Sequence, residues 1–289
     1  LTVDEMDALR FYNTGDIALP ERGQLRIQPA RCGDTFHITD MEWFSLKEGS
    51  DEPLFYQTLD NKPAPVLSPD EAQAAFSIAP GFEIELVAAE PLVEDPVAMA
   101  WDEYGRLYVV EMRGYMPDAY GTGSEEPVGQ VVRLEDTDGD GRMDTSVVFL
   151  GGLVLPRAVA VVNEGVLIGE PPNLWLCELP ERDALCANKR RLGSYGIEAA
   201  DSNVEHLENG LRQGLDNWLY NSKSARSLRI ENGEPVEREG LNRGQWGITQ
   251  DDVGRLLYNH NSTWIQADFF AAEDLLQSGV ELYPQGLGV

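Results

Sequence analysis

Four segments of this chain repeat one design: an apolar strand, a polar tight turn, then a second apolar strand. They are PVAMAWDEYGRLYVVE from Pro96, PRAVAVVNEGVLIGE from Pro156, ENGLRQGLDNWLYNS from Glu208 and QWGITQDDVGRLLYN from Gln245. Their turns align on Gly105, Gly165, Asn217 and Gly254. Gly and Asn tolerate the positive φ that a tight hairpin demands. The turns lie 60, 52 and 37 residues apart, spacings that suit propeller blades with loops of unequal length. More strand-like sequence follows each hairpin: QVVRLED and TSVVFLGG after the first, NLWLCEL after the second, SLRIENG after the third. Four strands per unit predict an all-β chain built as a β-propeller. About four blades are present here, the sequence ending soon after the fourth hairpin, as if a larger propeller were cut short.

The flanks read differently. Residues 1–50 hold alternating strands, Leu25 to Gln28 and Thr35 to Phe44, and read as the last strands of a β-sandwich. Residues 51–80 read as a linker punctuated by Pro53, Pro63, Pro65, Pro69 and Pro80. Within it SPDEAQAAF predicts one short helix, with Ser68 as N-cap and Pro69 in the first turn. Residues 81–289 make up the propeller portion. Leu1 opens inside strand-like sequence and Val289 follows no closing element, so the chain reads as cut at both ends.

The balance of 22 basic against 50 acidic residues gives a net charge of −28, which opposes binding to a phosphate backbone and excludes nucleic acid as a partner. No apolar run is long enough to span a bilayer. The three cysteines, Cys32, Cys177 and Cys186, form no C-x-x-C. Cys177 and Cys186 share one polar excursion, CELPERDALC, and two readings stand: a disulfide made in an oxidising compartment, or two unpaired thiols. Cys32 is unassigned.

DTDGDGRMD is the sharpest local motif. Asp136, Asp138, Asp140 and Asp144 fall at its first, third, fifth and ninth positions, Gly141 lies at the sharp turn, and Arg142 offers its backbone carbonyl. Alternating oxygen donors on a tight loop suit calcium, a hard cation that takes six to eight of them. Val147 stands where an EF-hand has its closing Glu, so the motif predicts a shorter, structural calcium loop between two strands. A solvated acidic turn without metal is the plainer alternative.

A propeller gathers function at the mouth of its channel, on the loops opposite the hairpin turns. Those loops carry Glu111, Arg113, Arg157, His206, Asn209, Lys223, Arg226, Arg243, Gln245 and His260. Five of them are Arg or Lys, in a chain poor in basic residues, which predicts an anionic ligand. We assign Arg113, Arg157, Lys223, Arg226, Arg243 and Gln245 to its binding. His206, just ahead of an innermost strand, is the candidate general base. A histidine that merely bonds a neighbouring loop carbonyl is an equal alternative. Glu111, Asn209 and Asn259 are candidates for a channel metal.

AFSIAPGFEIELVAAEPLVEDPVAMAWDEYGRLYVVEMRGY from Ala75 resembles the opening of the propeller in the "membrane-bound dehydrogenase" group common in planctomycetes. LEDTDGDGRMD, GLVLPRAVA, EPPNLWLC, NGLRQGLDNWLYN, RGQWGITQDDVGRLLYN and YPQGLGV resemble that group's later blocks, in its order, so the resemblance spans Ser68 to Val289. It implies a six-bladed propeller related to the soluble quinoprotein glucose/sorbosone dehydrogenases (TolB-like in architecture). These use pyrroloquinoline quinone (PQQ) with calcium to oxidise a sugar or related alcohol. The resemblance places His206 in the region of the proton-abstracting histidine, with one more residue before Gly210. It also makes Arg243 and Lys223 equivalents of the residues that hold the quinone carboxylates. It further implies export to the periplasm or cell surface, and a haem c domain elsewhere in the polypeptide as electron acceptor. GQLRIQ and FHITDMEW, near the N-terminus, resemble the closing strands of the lectin-like domain of the 3-keto-disaccharide hydrolase type. Two other functions stay open: a glycan- or protein-binding propeller without catalysis, and a metal-dependent lactonase or hydrolase propeller.

Overall fold

The computed structural model describes residues 66–268 and Glu273, apart from 119–120, 180, 182 and 197–203, together with the backbone of three strands between 23 and 59. Two units divide the chain, Leu1–Ala72 and Gln73–Val289. In the first unit, β1 (Gly23–Cys32), β2 (Thr35–Leu46) and β3 (Pro53–Leu59) pair in order as an antiparallel sheet. Strand β3 falls inside the segment read as a linker. Its LFYQTL core favours extended chain, and Pro53 stands at the first position, where a strand tolerates proline. Helix α1 (Pro69–Ala75) forms as its sequence predicts. Glu71 N donates to Ser68 Oγ, and Ser68 N donates to Glu71 Oε2 at 2.8 Å, which closes a capping box.

The second unit is a run of propeller blades. β4 (Pro96–Trp101), β5 (Leu107–Glu111), β6 (Gly129–Glu135) and β7 (Thr145–Leu153) form the first blade, in sequential antiparallel order. The second comprises β8 (Ala158–Val162), β9 (Gly165–Glu170), β10 (Asn173–Glu178) and β11 (Lys189–Ser194). The third comprises β12 (Asn209–Gln213), β13 (Leu219–Ser222), β14 (Arg226–Glu231) and β15 (Glu234–Glu239). The fourth shows β16 (Ile248–Gln250), β17 (Leu256–His260) and β18 (Thr263–Ala267). Innermost strands β8 and β12 touch in parallel at Ala158 and Gly210, as strands converging on a shared axis must. The chain is therefore all-β in its propeller portion, with four successive blades, as the repeats predict.

The turns explain the repeat. Gly105, Gly165, Asn217 and Gly254 all take positive φ, of 78°, 144°, 63° and 82°. In the first and fourth turns the same chemistry recurs: Asp102 Oδ1 accepts from the backbone of Tyr104 and Arg106, and Asp251 Oδ1 from Val253 and Arg255. These acidic turns are thus internally braced.

Apolar alternation buries one blade face against the next. Tyr108, Val110, Val131, Phe149 and Leu153 of the first blade pack with Val159, Val166, Ile168 and Cys177 of the second. Tyr108 and Phe149 meet edge to face at 5.0 Å, a geometry that contributes about 0.5–1.5 kcal/mol beyond area burial. Leu167, Leu174 and Leu176 pack in turn with Leu211, Leu219 and Leu228 of the third blade. At this seam Gly169 lies flat beneath the Tyr195 ring, and a Cβ there would strike it. Tyr195 Oη then donates to Asn221 Oδ1 at 2.8 Å, crossing from blade to blade.

Candidate functional site

The connections opposite the hairpin turns begin and end at Glu111 and Gly129, Glu170 and Asn173, Ser222 and Arg226, His260 and Thr263. On the same face, residues from the approaches to three successive inner strands meet. His206 ends a single 3-10 turn, Val204–His206, just before β12, and is exposed. Its Nε2 lies 2.9 Å from Gln245 Nε2. The amide nitrogen has only hydrogens to offer, so in this contact the ring nitrogen accepts. Gln245 is fixed from both sides of its backbone: its N donates to Asn259 O, and its O accepts from Asn209 Nδ2. Asn209, buried, also accepts from Gly247 N at 2.8 Å. One amide side chain thus joins the third blade to the approach of the fourth.

Arg157 enters the same cluster from the second blade. It is 1% exposed, and its Nη1 donates to Val204 O at 2.6 Å, just ahead of His206. Its guanidinium stands 5.7 Å from the centre of the Trp246 ring. Nη2 is buried without a hydrogen-bond partner. Burial lowers its pKa to about 10, against opposing contributions from Tyr195 and Tyr115. His206, Gln245, Asn209 and Arg157, all singled out in sequence, therefore come together, and Trp246 joins them.

The remaining basic residues do not form the positive field expected of them. Arg113 is held by Glu111 at 2.8 Å and Glu94 at 3.2 Å. Arg226 bonds Glu237 at 2.6 Å, Ser194 O at 2.5 Å and Glu208 at 3.4 Å. Arg243 is buried between Asp268 and Glu273, at 2.7 and 2.6 Å. Burial would lower its pKa, but these two carboxylates outweigh burial and raise it. A count of cations overstates the charge available to a ligand, because carboxylates from neighbouring strands consume three of the five. Lys223 is half-buried at positive φ and makes no ion pair among the described residues.

Glu111 and Asn209 are likewise spent. Glu111, 1% exposed, accepts from Glu94 N, Arg113 Nε and Gln130 Nε2. Glu170 ends the second strand of the next blade as Glu111 ends that of the first, and accepts from Val154 N and Trp175 Nε1, both at 2.6 Å. These two glutamates brace the loop entering their own blade. Both readings missed in sequence, Glu170 and Trp246, carry one usable signal: each stands at a strand end or approach that the repeat aligns.

The DTDGDGRMD loop joins β6 to β7, the third and fourth strands of the first blade, as predicted. Asp136, Asp138 and Asp144 bring one carboxylate oxygen each within 4.8 Å of one another, while Asp140 is not in that group. Gly139 and Gly141, both at positive φ, donate their amides to Asp136 at 2.6 and 2.9 Å. These bonds hold the Asp136 carboxyl below the ordinary range, and bonds from Thr137 do the same for Asp144. Oxygen donors from ionised carboxylates and a tight loop match the chemistry of a calcium site. Cys177 and Cys186 form a disulfide. No helix among the described residues is long and apolar enough to cross a membrane.

Residues 68–286 match a family model described as "Domain of unknown function (DUF7133)". No curated protein matches the sequence. Among solved structures, a virginiamycin B lyase from Staphylococcus aureus is 14% identical, with TM-score 0.36. The match covers 64% of this chain and 55% of the lyase, so the chain spans little more than half that enzyme's length. A luciferin-regenerating enzyme is 9% identical (TM-score 0.37; 91% of this chain, 74% of that one). A glucose dehydrogenase is 11% identical (TM-score 0.33; 85% and 73%). At these scores the likenesses say nothing about what this chain binds.

Proposed function

The chain belongs to DUF7133, a family of domains of unknown function, and from its propeller mouth we propose that it oxidises a sugar or related alcohol or aldehyde. The observation that carries this reading is the contact of His206 with Gln245 where the third and fourth blades meet. His206 is exposed, its ring nitrogen is an acceptor, and its support is buried and fully bonded through Asn209. Nε2 could take a hydroxyl proton from a bound substrate once that hydroxyl displaces the Gln245 amide from it. PQQ, when bound, would supply the hydride acceptor. Lys223, which like Arg157 has no carboxylate partner among the described residues but is less buried, is the side chain that would hold one of its carboxylates. Arg113, Arg226 and Arg243 then keep the loops in place.

Calcium on Asp136, Asp138 and Asp144, with loop carbonyls such as that of Arg142, fits a structural role, since the loop lies on the first blade and joins two of its strands. The disulfide supports an exported protein of the periplasm or cell surface. Onward electron transfer would go to a haem c domain of the same polypeptide.

The test is oxidation of a panel of aldoses and alcohols by the chain supplied with PQQ and calcium, using an artificial electron acceptor. Substituting His206→Ala is expected to lower kcat/KM by about 100-fold or more, the scale of a lost general base. A variant that keeps the full rate removes His206 from the mechanism. A glycan- or protein-binding propeller is the second reading. The neutralisation of Arg113, Arg226 and Arg243 favours it, because it leaves little charge for a tricarboxylate.

A further inference from the structure

A ten-residue loop links β10 to β11 in the second blade, and it does not stay on that blade. Cys186 N donates to Phe149 O at 3.2 Å, and Phe149 belongs to β7, the edge strand of the first blade. Two arginines of the first blade reach the same loop. Arg133 Nη1 donates to Ala184 O, and Arg106 Nη1 pairs with Asp183, each at 3.3 Å. The cysteine partners then tie the loop back to its own blade. Cys177 lies in β10, fully buried in the apolar seam that joins the two blades, and Cys186 packs against that seam.

We infer that the Cys177–Cys186 loop is a redox-sensitive strap that fastens the second blade to the edge of the first. The two halves depend on each other. The backbone bond from Cys186 covers an edge carbonyl that would otherwise face solvent or another strand. The disulfide holds Cys186 in place for that bond, because it closes a short loop whose free ends would cost entropy to order. Cutting it takes two electrons and two protons. A dithiol supplies both and is left as its own cyclic disulfide, while Cys177 and Cys186 become thiols. Among the described residues the strap then keeps the Arg133 and Arg106 contacts, with the Cys186–Phe149 bond no longer held in place by the disulfide. Asp183 is largely exposed, so the second of these is a surface ion pair and holds little. Reduction therefore opens this seam first and leaves the seam between the second and third blades, packed on Leu167, Leu176 and Leu211, as it was.

Hydrogen exchange read by mass spectrometry tests this on the whole chain, oxidised and after treatment with a dithiol. Peptides covering 184–189 and 145–153 are expected to exchange about tenfold faster or more once the disulfide is cut. Peptides of the third blade, 209–239, are expected to keep their rates. Unchanged exchange at 145–153 would confine the disulfide to its own blade and overturn the proposal. A uniform rise across all blades would overturn it too, by showing a general loss of stability. Arg133→Ala, with the disulfide intact, tests the docking of the loop separately from reduction. It is expected to speed exchange at 184–189 in the oxidised protein, and a wild-type rate there would contradict docking through Arg133.

Discussion

Asp216 shows how single residues decide this fold. It stands in the third turn, and its carboxylate accepts from Tyr220 Oη at 2.7 Å, Arg238 Nη2 at 2.9 Å and Trp218 N at 3.2 Å. Burial alone would raise its pKa, but the bonds from Tyr220, Trp218 and Arg238 outweigh it and hold the carboxyl below its ordinary 3.8. Tyr220 is pushed up in return, first by burial and then by that carboxylate. The folded value lies below the unfolded one. The stabilisation is therefore complete above a pH of about 3.8 and is lost as the pH falls through the folded value. Asp216→Asn is expected to cost about 1 kcal/mol at pH 7, and less at pH 3. Urea unfolding at both pH values checks this, and an equal cost at both would contradict it. Arg243 makes the opposite point about what sequence can show. Its chemistry was legible, but not its partners. Asp268 and Glu273 lie far along the chain, and only the fold of the fourth blade brings them to it.

Elements were legible where a backbone requirement selects the residue. The four turns demanded positive φ, and Gly105, Gly165, Asn217 and Gly254 supplied it. The helix at Pro69 announced its own N-cap, Ser68. Strand β3 was obscured because its flanking prolines signal a linker more strongly than a short run such as LFYQTL signals extended chain. The acidic loop between β6 and β7 belongs to this scale as well. Its Met143 N donates to Val87 O, and the Met143 side chain is buried with Val93, Leu107 and Leu134, so the loop is anchored to the first blade's core. Calcium at about a hundredfold over its Kd is expected to stabilise the chain by about 2.7 kcal/mol. Thermal unfolding with calcium and with a chelator reads this, and Asp136→Asn with Asp144→Asn is expected to abolish the difference. An equal response in the variant would place calcium elsewhere.

At the scale of the whole molecule, function depends on what the blades gather at one mouth. The repeat placed the loops, and the loops bonded His206, Gln245 and Asn209 together and set Arg157 against the Val204 carbonyl just ahead of His206. What sequence could not weigh was neutralisation: Glu111, Glu208, Asp268 and Glu273 each sit against a cation that a count of charges leaves free. The proposal of a quinone at this mouth thus rests on Lys223 and on the His206 cluster. The most direct measurement is a titration of the full chain with PQQ in calcium, followed by absorbance. The account predicts saturable binding near one quinone per chain, weakened by about tenfold in Lys223→Ala, the scale of one charge-assisted contact. Absence of saturable binding would contradict the quinoprotein reading and leave the propeller as a binding module.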